Sequence, residues 1–232
     1  MSTPRSAAAL VVLAHPEPSS FAAALARTAA DTLRDAGWGV VLLDLYQEGF
    51  DPVLSEADFS ERLIAERLQP MDEQAHAAAG GTFAPDLARH VELFQAADLL
   101  VLVSPMWWFS VPAMLKGWID RVFANGVAYR YPEVPAWSGF LGEKRGMLVM
   151  TSSYEPSSFS DDYVGELEHV LHPLLHGTLA YTGMQVIDPF IAYAADSVDL
   201  ATRRRYLAEL SDRLSALPRT EPGSGVTTPS QP

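Results

Sequence analysis

With 232 residues, 48% of them hydrophobic, the chain is long enough for one sizeable α/β domain and too short for two. A formal net charge of −13 argues against nucleic-acid binding through phosphate neutralisation, and the absence of cysteine excludes disulfides, thiolate metal sites and a cysteine nucleophile. No apolar run reaches the length of a membrane span and the N-terminus shows no signal-peptide pattern, so a cytoplasmic location is expected.

Ala7 to Ala14 reads as a first apolar strand, Phe21 to Ala36 as a helix stopped by Gly37, and Trp38 to Leu45 as a second strand. A long polar insertion follows Tyr46, with turns at Asp51-Pro52 and Gly80-Gly81 and a short helix expected over Glu56 to Arg67. Pro85 to Ala96 is the next helix. Residues 97 to 103 are nearly all apolar, as in a parallel strand covered on both faces, and a helix opened by Pro112 runs over Val111 to about Ala124. Lys144 to Thr151 gives a fourth strand, and Asp161 to about Thr182 a helix that Pro173 should kink or divide. Met184 to about Ala192 is a fifth strand and Ser197 to Leu217 a closing helix. The alternation predicts an α/β fold, a doubly wound five-stranded parallel sheet with right-handed crossovers and helices on both faces. Residues 1–217 form a single unit in this reading. Pro218 to Pro232, rich in Pro, Gly, Ser and Thr, is expected to be disordered.

Three aromatic residues, Trp107, Trp108 and Phe109, stand between Pro105-Met106 and Ser110-Val111-Pro112, just past a buried strand. In doubly wound sheets ligands bind beyond the carboxyl ends of the strands, so these rings should face a crevice able to hold a flat conjugated ligand. Neither a Gly-x-Gly-x-x-Gly turn nor a P-loop lysine follows the first strand. Instead His15 precedes Ser19, Ser20 and Phe21 at a helix start, where hydroxyls, free N–H groups and the helix dipole suit a phosphate. Simple capping is the alternative for the serines. The fourth strand ends in Thr151-Ser152-Ser153-Tyr154, so three strand ends would supply anion contacts, an aromatic floor and polar contacts to a ring system, as in a flavin site.

These residues resemble a known family. Val12-Leu13-Ala14-His15 with Ser20-Phe21, Asp44-Leu45-Tyr46, and above all Trp108-Phe109, Val111-Pro112-Ala113 and Leu115-Lys116-Gly117-Trp118 with Asp120 to Phe123 and Ala128-Tyr129 are similar to the NAD(P)H:quinone oxidoreductases of flavodoxin-like fold, the DT-diaphorase family. The resemblance covers about residues 8 to 217. It implies a homodimer with the site at the subunit interface, holding FAD, or FMN as second choice, and passing hydride from NAD(P)H to a quinone or related aromatic acceptor. By position, His15, Ser19, Ser20 and Phe21 would meet the flavin phosphate and ribityl chain. Pro105, Met106, Trp107, Trp108 and Phe109, with Thr151, Ser152, Ser153 and Tyr154, would meet the ring. Trp108 and Phe109 would also wall the substrate pocket, closed by Tyr129 and Tyr131 from the partner subunit. The chain departs from the family at Thr151 to Tyr154, where two glycines are usual, and places Phe159 where mammalian members carry a tyrosine. Tyr154, Tyr163 and His169 are the candidates for the missing catalytic polar groups.

Two other readings are a flavin-bearing regulatory or electron-carrier protein and a tailoring reductase with one dedicated aromatic substrate. No metal is expected, although His169, His172 and His176 share one helical face, because Pro173 interrupts it. Arg203-Arg204-Arg205 reads as a solvated helix face, and His76 and His90 as solvated surface residues.

Overall fold

The computed structural model describes residues 7–219, so the tail expected to be disordered lies outside the described residues except for Pro218 and Arg219. A parallel sheet of β1 (Ala8–Leu13), β2 (Gly39–Asp44), β3 (Leu99–Pro105), β4 (Arg145–Thr151) and β5 (Gln185–Ala192) runs in the order β2-β1-β3-β4-β5. Strand periodicity sorts the side chains into two layers. Leu10, Val12, Leu100, Leu102, Leu148 and Met150 enter one core with α3 (Pro85–Ala96) and α4 (Ala113–Val122). Val11, Leu13, Val101, Val103, Met147 and Val149 enter the other with α1 (Phe21–Asp35) and α6 (Leu200–Ser215). All seven residues of β3 are buried, which explains its unbroken apolar run. Because β1 lies between β2 and β3, the β1–β2 crossover (α1) and the β2–β3 crossover (α3) cover opposite faces, and a crevice opens beyond the carboxyl ends of β1 and β3.

Gly37 ends the first helix at φ 83°, as its sequence position requires. The insertion departs from expectation. Only Glu56–Asp58 forms a single 3-10 turn, and the helix of this region is α2, Pro70–Gly80. Buried Glu73 is the cause: its carboxylate accepts the N–H groups of Leu63 (2.7 Å) and Ile64 (3.2 Å) and the Arg62 Nε (2.9 Å), so those amides have no use for helical carbonyls. Buried Asp58 pairs with buried Arg121 of α4, accepting both Nε and Nη2 at 3.0 Å. Arg121 also donates to the Asp51 carbonyl and stacks over Phe50. Gly117 lets the chain pass close to α4, since a Cβ there would lie 2.0 Å from the Pro52 oxygen.

Pro112 is the cap preceding α4 rather than its first residue. Residues 161–164 are turn and 165–166 irregular, and helix begins only at α5 (Leu167–Leu174), which contains Pro173 and widens into a π turn over Leu175–Leu179. The missing N–H of Pro173 thus ends in a change of helical pitch.

His90 is not a solvated residue. It is buried, lies 4.8 Å from the Phe50 ring and accepts the Trp118 indole N–H on Nδ1 at 3.1 Å. Burial, then the Arg89 charge, holds it below the ordinary value of 6.5. The unfolded chain therefore takes up the proton first, so stability contributed by neutral His90 is full above pH 6.5 and declines as pH falls below it. A His90→Asn variant should show a smaller loss of thermal stability between pH 7 and pH 5 than the parent, read by Tm against pH.

Candidate functional site at the carboxyl ends of the strands

Each wall of the crevice follows from local chemistry. At the end of β1, the Glu17 N–H donates to His15 Nδ1 at 3.0 Å, which leaves Nε2 of the neutral imidazole as the donor. Ser20 caps α1, its Oγ accepting the Ala23 N–H at 3.1 Å, and its own O–H stays available. Ser19 donates both N–H (2.8 Å) and Oγ (2.6 Å) to the Glu17 carboxylate, and these bonds hold Glu17 below the usual carboxylate range. Of the two predicted anion-binding serines, one caps the helix and the other is held by a neighbouring carboxylate.

The aromatic stretch is a tight turn. Trp107 and Ser110 exchange backbone hydrogen bonds at 3.0 Å in both directions, with Trp108 and Phe109 between them at φ 51° and 58°. Two successive left-handed residues carry the φ signature of a turn normally built from Asn and Gly, and each bulky residue there costs about 1–3 kcal/mol. Such strain persists where surrounding structure over-determines it, as at ligand clamps. The three side chains diverge: Trp107 tilts toward His15 (6.1 Å between rings), Trp108 is 94% exposed, and Phe109 stacks on Tyr154 (5.8 Å, 23°). The N–H groups of Trp108 and Phe109 have no partner among the described residues.

Beyond β4, buried Ser152 accepts the Tyr154 N–H on Oγ at 3.0 Å, and Ala194 N–H donates to the Tyr154 carbonyl at 3.0 Å, joining this turn to the end of β5. Ser153 Oγ donates to Asp196.

His15, Ser20, Met106, Trp107, Thr151 and Ser153 line one cavity of about 310 Å3, so the three predicted strand ends do meet. A larger hollow of about 470 Å3, lined by Asp98 and Lys144, lies at the amino ends of β3 and β4, away from the switch point. Sequence reasoning missed Asp196 and Arg203, which also line the crevice. Arg203 does not belong to the solvated face: its Nη2 donates to the Ala195 carbonyl at 2.9 Å and its guanidinium lies 5.7 Å from the Phe21 ring. Its buried Nε has no partner among the described residues. Arg204 and Arg205 are exposed, as expected. The signal was the spacing of Arg203, Leu207, Leu210 and Leu214, one inward stripe of α6.

Other predicted residues lie apart from this cavity within one chain. Tyr129 meets Tyr181 edge-on at 6.0 Å, its phenol raised by burial and then by Tyr181, and Tyr131 is 60% exposed beside Gln69 and Met71. Tyr163 stands edge-on to Tyr154 at 6.1 Å, whereas His169 is exposed on α5. His172 and His176 stack at 4.7 Å, and Trp137 covers His176 at 5.4 Å. Among the described residues no group of three or more His, Asp or Glu is placed to hold a metal ion.

The residues present fit a flavin. The unpaired Arg203 Nε and the start of α1, which line the cavity, suit a phosphate, and Trp107, with the unused amides of Trp108 and Phe109 next to it in the turn, suits a conjugated ring.

Comparison with known proteins accords with this anatomy. Residues 7–214 match the flavodoxin-like fold family. NAD(P)H dehydrogenase [quinone] 1 of Cavia porcellus is 34% identical over 207 residues, covering 89% of this chain and 75% of the relative. The chain belongs to the flavodoxin-like NAD(P)H:quinone oxidoreductase family. Ribosyldihydronicotinamide dehydrogenase [quinone] of Pongo abelii, also in this family, is 34% identical over 92% of this chain and 93% of its own length. A crystal structure from Klebsiella pneumoniae, described as that of a candidate quinone reductase, superposes with a TM-score of 0.86 at 34% identity, covering 94% of this chain and 87% of that one.

Proposed function

We propose that the protein is a flavin-dependent NAD(P)H:quinone oxidoreductase. The observation that carries the reading is the meeting of three strand ends in one cavity whose lining includes His15, Ser20 and the start of α1, Arg203 and Trp107. A flavin held by these residues would supply two-electron hydride-transfer chemistry between NAD(P)H and a quinone, with solvent as the source of the proton that completes the hydroquinone.

The chain's own residues bind, orient and exclude water. His15 Nε2–H, the Ser20 hydroxyl and the first amides of α1 hold the phosphate end, and Phe21 packs beneath Arg203. FAD is favoured over FMN because the Arg203 guanidinium adds a charged donor to the neutral ones of His15, Ser20 and the helix start, enough for a diphosphate. Trp107 and the amides of Trp108 and Phe109 hold the ring, while Thr151 and Ser153 edge it. Trp108 and Phe109, exposed beyond the rim, meet the substrate, and a second copy of the chain brings Tyr129 and Tyr131 over it in a homodimer. No helix among the described residues is long and apolar enough to cross a membrane, and the proposed setting is cytoplasmic.

Arg203→Ala tests the phosphate end. Hydrogen bonds to charged groups are worth about 1.5–3 kcal/mol, so flavin affinity should fall roughly 10- to 100-fold, measured by fluorescence titration of the apoprotein. Unchanged affinity would remove Arg203 from the site.

A further inference from the structure

Asp196 and Arg203 line the same cavity, yet their charges do not neutralise each other. Arg203 gives its Nη2 to the Ala195 carbonyl, and no ion pair joins it to Asp196 among the described residues. Asp196 instead accepts the Ser153 hydroxyl on Oδ2, while its Oδ1 accepts nothing among the described residues. The turn that carries Asp196 is already closed by backbone, the Ala195 N–H donating to the Ser152 carbonyl at 2.9 Å and the Ala194 N–H to that of Tyr154 at 3.0 Å. The Ser153 bond is therefore not needed to join the ends of β4 and β5. Its effect is to fix the rotation of a carboxylate at the cavity wall.

An ionised carboxylate only accepts hydrogen bonds, and Ser153 Oγ, its proton committed to Asp196, has only acceptor capacity left. Two adjacent acceptors, one of them charged, repel a phosphate. They suit a ring imide poorly, since its single N–H is flanked by two carbonyl acceptors. Neighbouring hydroxyls of a polyol can donate to both, as ribose hydroxyls do to the acidic residue of dinucleotide-binding folds. We infer that Asp196, oriented by Ser153, is a specificity-determining residue that accepts from the ribityl hydroxyls of the flavin and selects flavins carrying that polyol. The inference rests on the flavin-dependent reading above. Position supports it: Ala195 takes the Arg203 guanidinium and the next residue takes Ser153, so Asp196 links the phosphate-binding arginine to the β4 turn that edges the ring. Phosphate, polyol and ring are joined in that order in a flavin nucleotide.

The test titrates the apoprotein with riboflavin and with lumiflavin, which keeps the ring and carries a methyl group in place of the ribityl chain, following flavin fluorescence. Asp196→Ala should weaken riboflavin binding about tenfold, the low end for a hydrogen bond to a charged group because the carboxylate is exposed, and change lumiflavin binding by under about twofold. Ser153→Ala frees the carboxylate to rotate and should cost about threefold on riboflavin alone. It carries the test if Asp196→Ala fails to fold. Asp196→Asn keeps a side-chain oxygen as acceptor and should fall between Asp196→Ala and the parent. Equal losses on both ligands would assign Asp196 to the ring, and no loss on riboflavin would remove it from the site; either result overturns the inference. So would a parent that binds FAD but shows no preference for riboflavin over lumiflavin. A parent apoprotein that binds neither FAD nor FMN would overturn the underlying flavin reading instead, so the two failures are distinguishable.

Discussion

Asp58→Ala should destabilise the protein by about 3–5 kcal/mol in equilibrium urea unfolding, because it leaves the Arg121 guanidinium buried without its carboxylate. Both partners are almost wholly buried, with side chains 3% and 4% exposed, and the pair is bidentate. Asp86 lies 3.6 Å from Arg121 but is 63% exposed, too hydrated to replace the lost charge. The consequence reaches the crevice through α4. Arg121 ties residues 51 to 58 to the helix whose amino end follows the aromatic turn, so residual activity should be more temperature-sensitive than the parent's. A loss under 1 kcal/mol would mean that water enters and solvates Arg121.

Gly117→Ala should cost about 3 kcal/mol, at or beyond the upper end of the usual overpacking range. The new methyl group would lie 2.0 Å from the Pro52 oxygen and 2.5 Å from its Cβ, and backbone cannot rotate away as a side-chain tip can. Either α4 or the segment around Pro52 must move by more than an ångström. Thermal unfolding should show the loss, and the double variant Asp58→Ala/Gly117→Ala should lose less than the sum, since each change loosens the same contact between the insertion and α4. Strict additivity would show that the two act on independent structures.

The parts of this fold legible in the sequence are those written in local period. The five strands announce themselves as apolar runs, and α3 appears within the same bounds in sequence and structure because prolines and amphipathic spacing mark it. The parts that escaped are decided by distant partners. Helix α2 turns Glu73 and Gln74 inward, polar residues that a hydrophobic pattern counts as surface, and their partners lie at Arg62 to Ile64 and at Asp120 and Asn125. His90 looks solvated until Trp118, 28 residues on, supplies its hydrogen bond. At the site, the convergence of His15, Trp107 and Ser153 followed from where strands end, whereas Arg203 was hidden in a run of three arginines of which only one faces inward. The strain at Trp108 and Phe109 could not be read from composition, because nothing in Trp-Phe favours left-handed backbone and only the closing of the turn imposes it.

The central claim is tested most directly by mixing the flavin-loaded protein anaerobically with NADPH and then NADH, following the oxidised flavin absorbance, and adding a simple quinone. The account predicts rapid bleaching by at least one nucleotide and rapid recovery on quinone addition. A protein that binds no flavin, or whose bound flavin neither nucleotide reduces, would contradict it.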